Sequence, residues 1–96
     1  MLPQAQAHTC AYFTALLNQH FQLPGSEGVV LQLIAAEPRG AALPGREAFS
    51  LLFSGPQPAL PQQIYTLRSE AAGTLEIFLV PVASVGAAIH YEAVFS

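Results

Sequence analysis

The side chains that could carry chemistry in this chain are few. Three histidines (His8, His20, His90), one cysteine (Cys10) and six glutamates are the reactive or metal-ligating groups, and aspartate and lysine are absent. A zinc or transition-metal site needs three or four such ligands brought together. The histidines lie far apart in the sequence, so we expect surface or partly packed histidines and no metal site. A nucleophilic thiol needs an activating base and some exposure. Cys10 falls on the apolar stripe of a predicted helix, where it reads as a small buried hydrophobe. His90 and Glu92 share one face of a predicted strand, with Arg68 and Glu76 nearby on that face. General acid–base hydrolysis is the chemistry such a pair could do, and a polar outer face is the plainer reading. No serine lies in a Gly-x-Ser-x-Gly elbow and no glycine-rich phosphate loop precedes a helix. We therefore assign no catalytic, cofactor-binding or metal-binding residues.

The elements that hold these groups can be followed along the chain. Residues 1–7 show no periodic pattern and are expected to be loosely ordered. Cys10, Phe13, Leu16 and Leu17 form one helical stripe, with Thr9 as N-cap and Asn18 near the end. A helix of about two turns is marginal alone, so it must dock. Phe21 and Leu23 alternate with His20 and Gln22 as a short strand before the turn Pro24 to Gly28. Val29 to Ala36 reads as a strand, and Pro38 to Gly45 as a loop with two prolines and two glycines. In Ala48 to Ser54, Phe49, Leu51 and Phe53 face one way and the serines the other, with Leu52 as the exception. Gly55 to Pro61 is a second proline-rich loop. Its Pro58-Ala59-Leu60-Pro61 formally matches a PxxP ligand, but linker chemistry accounts for it.

Gln63 to Glu70 and Thr74 to Val82 flank Ala71-Ala72-Gly73, which predicts a hairpin with a left-handed glycine. We expect Glu70 to face Thr74, Arg68 to face Glu76, Leu67 to face Ile77 and Tyr65 to face Leu79. Ile89, Tyr91, Ala93 and Phe95 then join Tyr65, Leu67, Leu75, Ile77 and Leu79 inside, and His90, Glu92 and Val94 point outward. Ile64, Phe78, Val80 and Val94 are left as apolar residues on the outer face. They require a cover: the helix, a curled part of the sheet, or a second subunit. Pro81 cannot donate to a ladder and marks a bulge, an edge or the end of pairing.

These segments add up to a mainly β fold, a small antiparallel β-barrel or curled sandwich of about six strands with one short N-terminal helix, in a single domain spanning 1–96. Among 96 residues 52% are hydrophobic and only 9% are charged, against a usual share near 25% charged. With so little charge to solvate the surface, some apolar area is expected to meet a protein partner or another copy of the chain. Three arginines and a net charge of −3 disfavour nucleic-acid binding, which relies on clustered cations. One cysteine allows no intrachain disulfide. The N-terminus lacks a positive n-region and an apolar h-region, and no apolar run reaches about 18 residues. A cytoplasmic protein without a membrane span is the expectation.

Pro61 to Leu67 with Gly73, Phe78-Leu79-Val80-Pro81-Val82, Tyr91-Glu92-Ala93-Val94-Phe95, the middle Phe49-Ser50-Leu51-Leu52-Phe53 and the early aromatic helix together resemble a domain-of-unknown-function family of small bacterial proteins. The resemblance covers most of the chain from Phe13 onward. These are packing motifs and bring no catalytic residues. The resemblance implies an association with phage-tail-collar-like proteins, hence a structural or accessory part. The expected function is a non-enzymatic structural or interaction module with Ile64, Phe78, Val80 and Val94 as its contact surface. The alternative is a small β-barrel that binds an apolar small molecule.

Overall fold

The computed structural model describes residues 9–26, 28–39 and 48–95. The expectations for residues 1–7, for His8 and for most of the 38–45 loop lie outside the described residues. One short helix, α1 (Cys10–Thr14), precedes six strands: β1 (His20–Gln22), β2 (Val30–Pro38), β3 (Phe49–Pro56), β4 (Gln63–Ser69), β5 (Gly73–Val85) and β6 (Ala88–Phe95). All pairings are antiparallel and the strand order β1-β2-β3-β6-β5-β4 returns on itself. The mainly β reading is correct: one curled sheet of six antiparallel strands and one short helix. The ring is closed between β1 and β4 by a single residue pair, Gln22 with Arg68.

Period-two alternation sets the inside of the ring. Phe49, Leu51 and Phe53 of β3, Leu75, Ile77 and Leu79 of β5, and Ile89, Tyr91 and Ala93 of β6 are buried, as are Leu31 and Leu33 of β2. Each end of the ring has its own plug. At one end α1 lays Phe13 against Phe49 and Phe95, with ring centroids 5.9 and 5.8 Å apart, and those two rings stack at 4.7 Å. The connection 57–62 leaves β3 beside β6 and has to pass two strands to reach β4, so it crosses the other end. The buried hydroxyl of Tyr91 accepts a hydrogen bond from the Leu60 N–H there, at 2.9 Å. Replacing Tyr91 by phenylalanine keeps the ring in the core but leaves that N–H without this partner. The expected loss is about 1 kcal/mol in urea unfolding, with the denaturant slope unchanged.

Several local expectations are corrected. The helix is five residues long, shorter than the apolar stripe. Thr9 does cap it, its Oγ1 accepting from the Tyr12 N–H at 3.1 Å. Beyond Thr14 the chain tightens into i→i+3 turns (Leu16 N–H to Phe13 C=O, 2.8 Å) and stops at Asn18, whose φ of 71° is left-handed. Leu16 stays buried although it is outside the helix. Strand β2 runs to Pro38, two residues past its predicted end, with a bulge between Leu33 and Ala35.

The β4–β5 hairpin keeps its predicted faces but shifts by two residues. Ser69 pairs with Gly73, Arg68 with Thr74, Thr66 with Glu76, Tyr65 with Ile77 and Ile64 with Phe78. Gly73, at φ 72°, therefore belongs to the first rung and not to the turn. The Ser69 hydroxyl accepts from the Ala72 N–H at 2.9 Å, which closes the turn one residue earlier. Arg68 does not directly face Glu76. Near Pro81 the ladder with β6 shifts register between Pro81 and Ala83, so the proline marks a bulge.

Gly55 ends the inward series of β3. A Cβ there would lie 2.3 Å from Cδ2 of Leu31, which is itself fully buried. Gly55→Ala should force Leu31 out of place and cost about 1–3 kcal/mol. Thermal unfolding would show it as a drop of about 4–8 °C per kcal/mol. An unchanged midpoint would mean that the contact is relieved without strain.

Candidate functional site

The outer face of β4 and β5 carries most of the large exposed apolar residues. Ile64 is 65% exposed and sits directly across from Phe78, which is 49% exposed. Both alternate with buried neighbours, Leu67 on β4 and Ile77 and Leu79 on β5, so the strand period that fills the interior also puts them outside. Val94, on β6 opposite Ser50, is 54% exposed. Val80, paired with Glu92, is half-buried. Helix α1 does not cover this face; its aromatic side packs at the end of the ring on Phe49 and Phe95.

Three further exposed apolar residues lie outside the set expected from the sequence, Val30 at the start of β2 among them. Val82 is 50% exposed and lies at the bulge, and Val85 is 53% exposed next to the Gly86 turn. The bulge breaks the alternation, which is why period-two counting does not place Val82. From Ile77 to Ile89 the chain has no charged residue, so the far end of the β5–β6 hairpin has little to hold water beyond its backbone and Ser84.

His90 and Glu92 lie on the outer face of β6, both half-buried. His90 faces Ser54 on β3 and Ala83 on β5, and Glu92 faces Leu52 and Val80. Glu92 Oε2 is 3.6 Å from Nη1 of Arg39, a half-exposed pair worth at most about 1 kcal/mol. Arg39 falls within the loop that the sequence predicts from Pro38 to Gly45. It comes within reach because β2 extends to Pro38 and the Arg39 N–H continues the ladder to the Ala48 C=O. This arrangement gives Glu92 a cation partner on a sheet face.

His20 belongs to β1 and His90 to β6, which are not neighbours in the ring. His8 lies outside the described residues, and Cys10 is buried in α1. Among the described residues no three His, Cys, Asp or Glu side chains come together as a metal site would need.

A groove of about 660 Å³ lies where β1 meets β4, lined among others by Gln19, His20, Gln22, Arg68, Glu70 and Thr74. It places one cation, one carboxylate, an imidazole and the hydroxyls of Ser69 and Thr74 on walls that also include Val30. Nothing local in the sequence marks it, because it exists only where the two ends of the ring meet. Inside the ring, Tyr91, Phe21, Phe53, Leu31, Leu67 and Leu79 are fully buried. Tyr65 is half-buried, and its hydroxyl donates to the Pro61 carbonyl. Burial, and secondarily the nearby Tyr91, lift its phenol above the ordinary value of 10.0.

Among the described residues no helix is long and apolar enough to cross a membrane. No curated protein and no solved structure matches the chain. A family model described as "Domain of unknown function (DUF6916)" matches residues 8–95, and the chain belongs to that family.

Proposed function

We propose that this member of the DUF6916 family is a non-enzymatic protein-interaction module whose contact surface is the outer face of β4, β5 and β6. The observation that carries the reading is the cross-strand pair Ile64 and Phe78, large, apolar and exposed on a chain with only 9% charged residues. Burying such a pair against a partner removes apolar area worth about 25 cal/mol per Å². Val94 and the half-buried Val80 extend the surface toward β6.

The partner is a protein, either a second copy or a component of a larger assembly. The family resemblance of the packing motifs suggests a bacterial, phage-tail-like assembly in which this chain is an accessory part acting in the cytoplasm. The alternative, an apolar small molecule held inside the ring, draws no support from an interior occupied by Tyr91, Phe21, Phe53 and the buried leucines.

Light scattering on the purified chain, together with affinity capture using the wild type and Ile64→Lys, tests the reading. Association or capture that Ile64→Lys weakens at least tenfold is expected. A strict monomer that captures no protein overturns it, and so does capture that is indifferent to the substitution.

A further inference from the structure

The ring is closed between β1 and β4 by the single pair Gln22 and Arg68. Continued in the same register, Phe21 would pair with Ser69 and His20 would lie opposite Glu70. The strands part instead, and the groove of about 660 Å³ opens there. A second hollow of about 300 Å³ lies against the turn that joins β1 to β2. Gln22, Val30 and Arg68 line both, so Arg68 stands where the two meet. Their remaining walls differ. The larger groove adds Glu70 and the hydroxyls of Ser69 and Thr74, whereas the smaller adds the aliphatic surfaces of Leu23, Pro24 and Val29 beside Ser26.

The polar groups of this seam are unspent. Among the described residues Arg39 holds Glu92, whereas the side chains of Arg68, Glu70, Gln22 and Thr74 make no hydrogen bond or ion pair. The Ser69 hydroxyl accepts from the Ala72 N–H and keeps its own proton to donate. Arg68 has uncharged partners on both sides in the sheet, Gln22 on β1 and Thr74 on β5. Glu70 is the one carboxylate lining either hollow among the described residues, and Glu27, beside Ser26, lies outside them. A lone anion in the groove is repelled by Glu70 and a lone cation by Arg68. A molecule that carries both charges close together answers both.

We propose that the seam between β1 and β4 binds a free aliphatic α-amino acid of about the size of leucine. The carboxylate takes the Arg68 guanidinium, whose fork presents two parallel N–H donors to such a group. The ammonium turns into the larger groove toward Glu70. The side chain lies over Val30 into the smaller hollow, against Val29 and Pro24. Because Arg68 and Val30 line both hollows, a molecule anchored on them reaches each. The volumes suit a small molecule, whose sites commonly span about 300–1,000 Å³. Arg68 and Glu70 are exposed, so both ion pairs are screened and the affinity is expected to be about millimolar. This site is separate from the apolar contact surface and does not depend on it, since Arg68 is four residues along β4 from Ile64, about 13 Å.

Titrating the isotope-labelled full chain with L-leucine and following its backbone amide chemical shifts tests the proposal. Three further ligands each lack one recognised group: N-acetyl-L-leucine the ammonium, L-leucinamide the carboxylate and glycine the side chain. Saturable shifts at Gln22, Val30 and Arg68 are expected with leucine. Leucinamide and N-acetyl-leucine should bind about tenfold more weakly or worse, as should leucine to Arg68→Gln and to Glu70→Gln. Glycine should bind about fivefold more weakly or worse. Both substitutions replace exposed side chains, and a wild-type amide spectrum checks each fold before titration. The blocked ligands act on the wild type, so the test stays decisive if a variant misfolds. Leucine shifts that do not saturate, or that map away from the seam, overturn the site. Leucinamide binding as tightly as leucine overturns the role of Arg68. N-acetyl-leucine binding as tightly as leucine overturns the amino-acid assignment and leaves a carboxylate site of the kind a peptide C-terminus fills.

Discussion

Phe53→Ala should cost about 3–5 kcal/mol, the largest stability loss expected of any single substitution considered for this chain. Phe53 is fully buried and meets the fully buried Phe21 edge-on, ring centroids 5.7 Å apart. That contact runs from β3 to β1 across the interior, and β1 is a three-residue strand. Removing the ring deletes a transfer term, an aromatic contact and part of the support for the weakly paired β1, and the surrounding strands cannot collapse fully into the space. Domains of this size have total stabilities of about 5–15 kcal/mol, so about a fifth or more of the margin disappears. Thermal unfolding should fall by more than about 12 °C. A loss below about 1 kcal/mol would mean that the interior is not filled as described.

The second large effect concerns association and should leave stability nearly alone. Phe78 is half-exposed and outside the ring, so Phe78→Lys should change unfolding by no more than about 1 kcal/mol. In a complex the same position lies beside Ile64 under a partner, and a lysine there must lose its hydration or hold the surfaces apart. Association is expected to weaken at least a hundredfold, which corresponds to about 2.8 kcal/mol at 1.4 kcal/mol per tenfold change. Equal effects on folding and association would instead make Phe78 part of the monomer core.

Much of this architecture is legible in the residue pattern because a strand's side chains alternate strictly. Phe49, Leu51 and Phe53 could be assigned to the interior and Ile64 and Phe78 to the outside without knowing any partner strand. The β4–β5 register was misplaced by two residues, yet the faces survived, since a shift of two preserves parity. The error traces to Gly73, whose left-handed φ suits it to the first rung beside Ser69 as well as to a turn. The short helix was overestimated because Leu16 stays buried in the i→i+3 turn that follows, so the apolar stripe outlasts the helix.

Features that depend on closure had no local signal. The pairing of Gln22 with Arg68 and the groove beside it exist only because strands distant in sequence meet. The ion pair of Arg39 with Glu92 has the same origin, since it needs β2, β3 and β6 to lie side by side. The bulge between Leu33 and Ala35 has no signal in the sequence, whereas Pro81 marks its own; what that second bulge does to the face of Val82 cannot be counted from alternation.

The central claim, that the outer β4–β5 face around the apolar pair Ile64 and Phe78 is a contact surface, with a second copy as the occupant first tested, is examined most directly by sedimentation velocity. Wild type and Phe78→Lys are run over the same concentration series. The account predicts that wild type moves toward twice the 10.2 kDa chain mass while Phe78→Lys stays at one. Identical monomeric sedimentation of both chains at every concentration would contradict it.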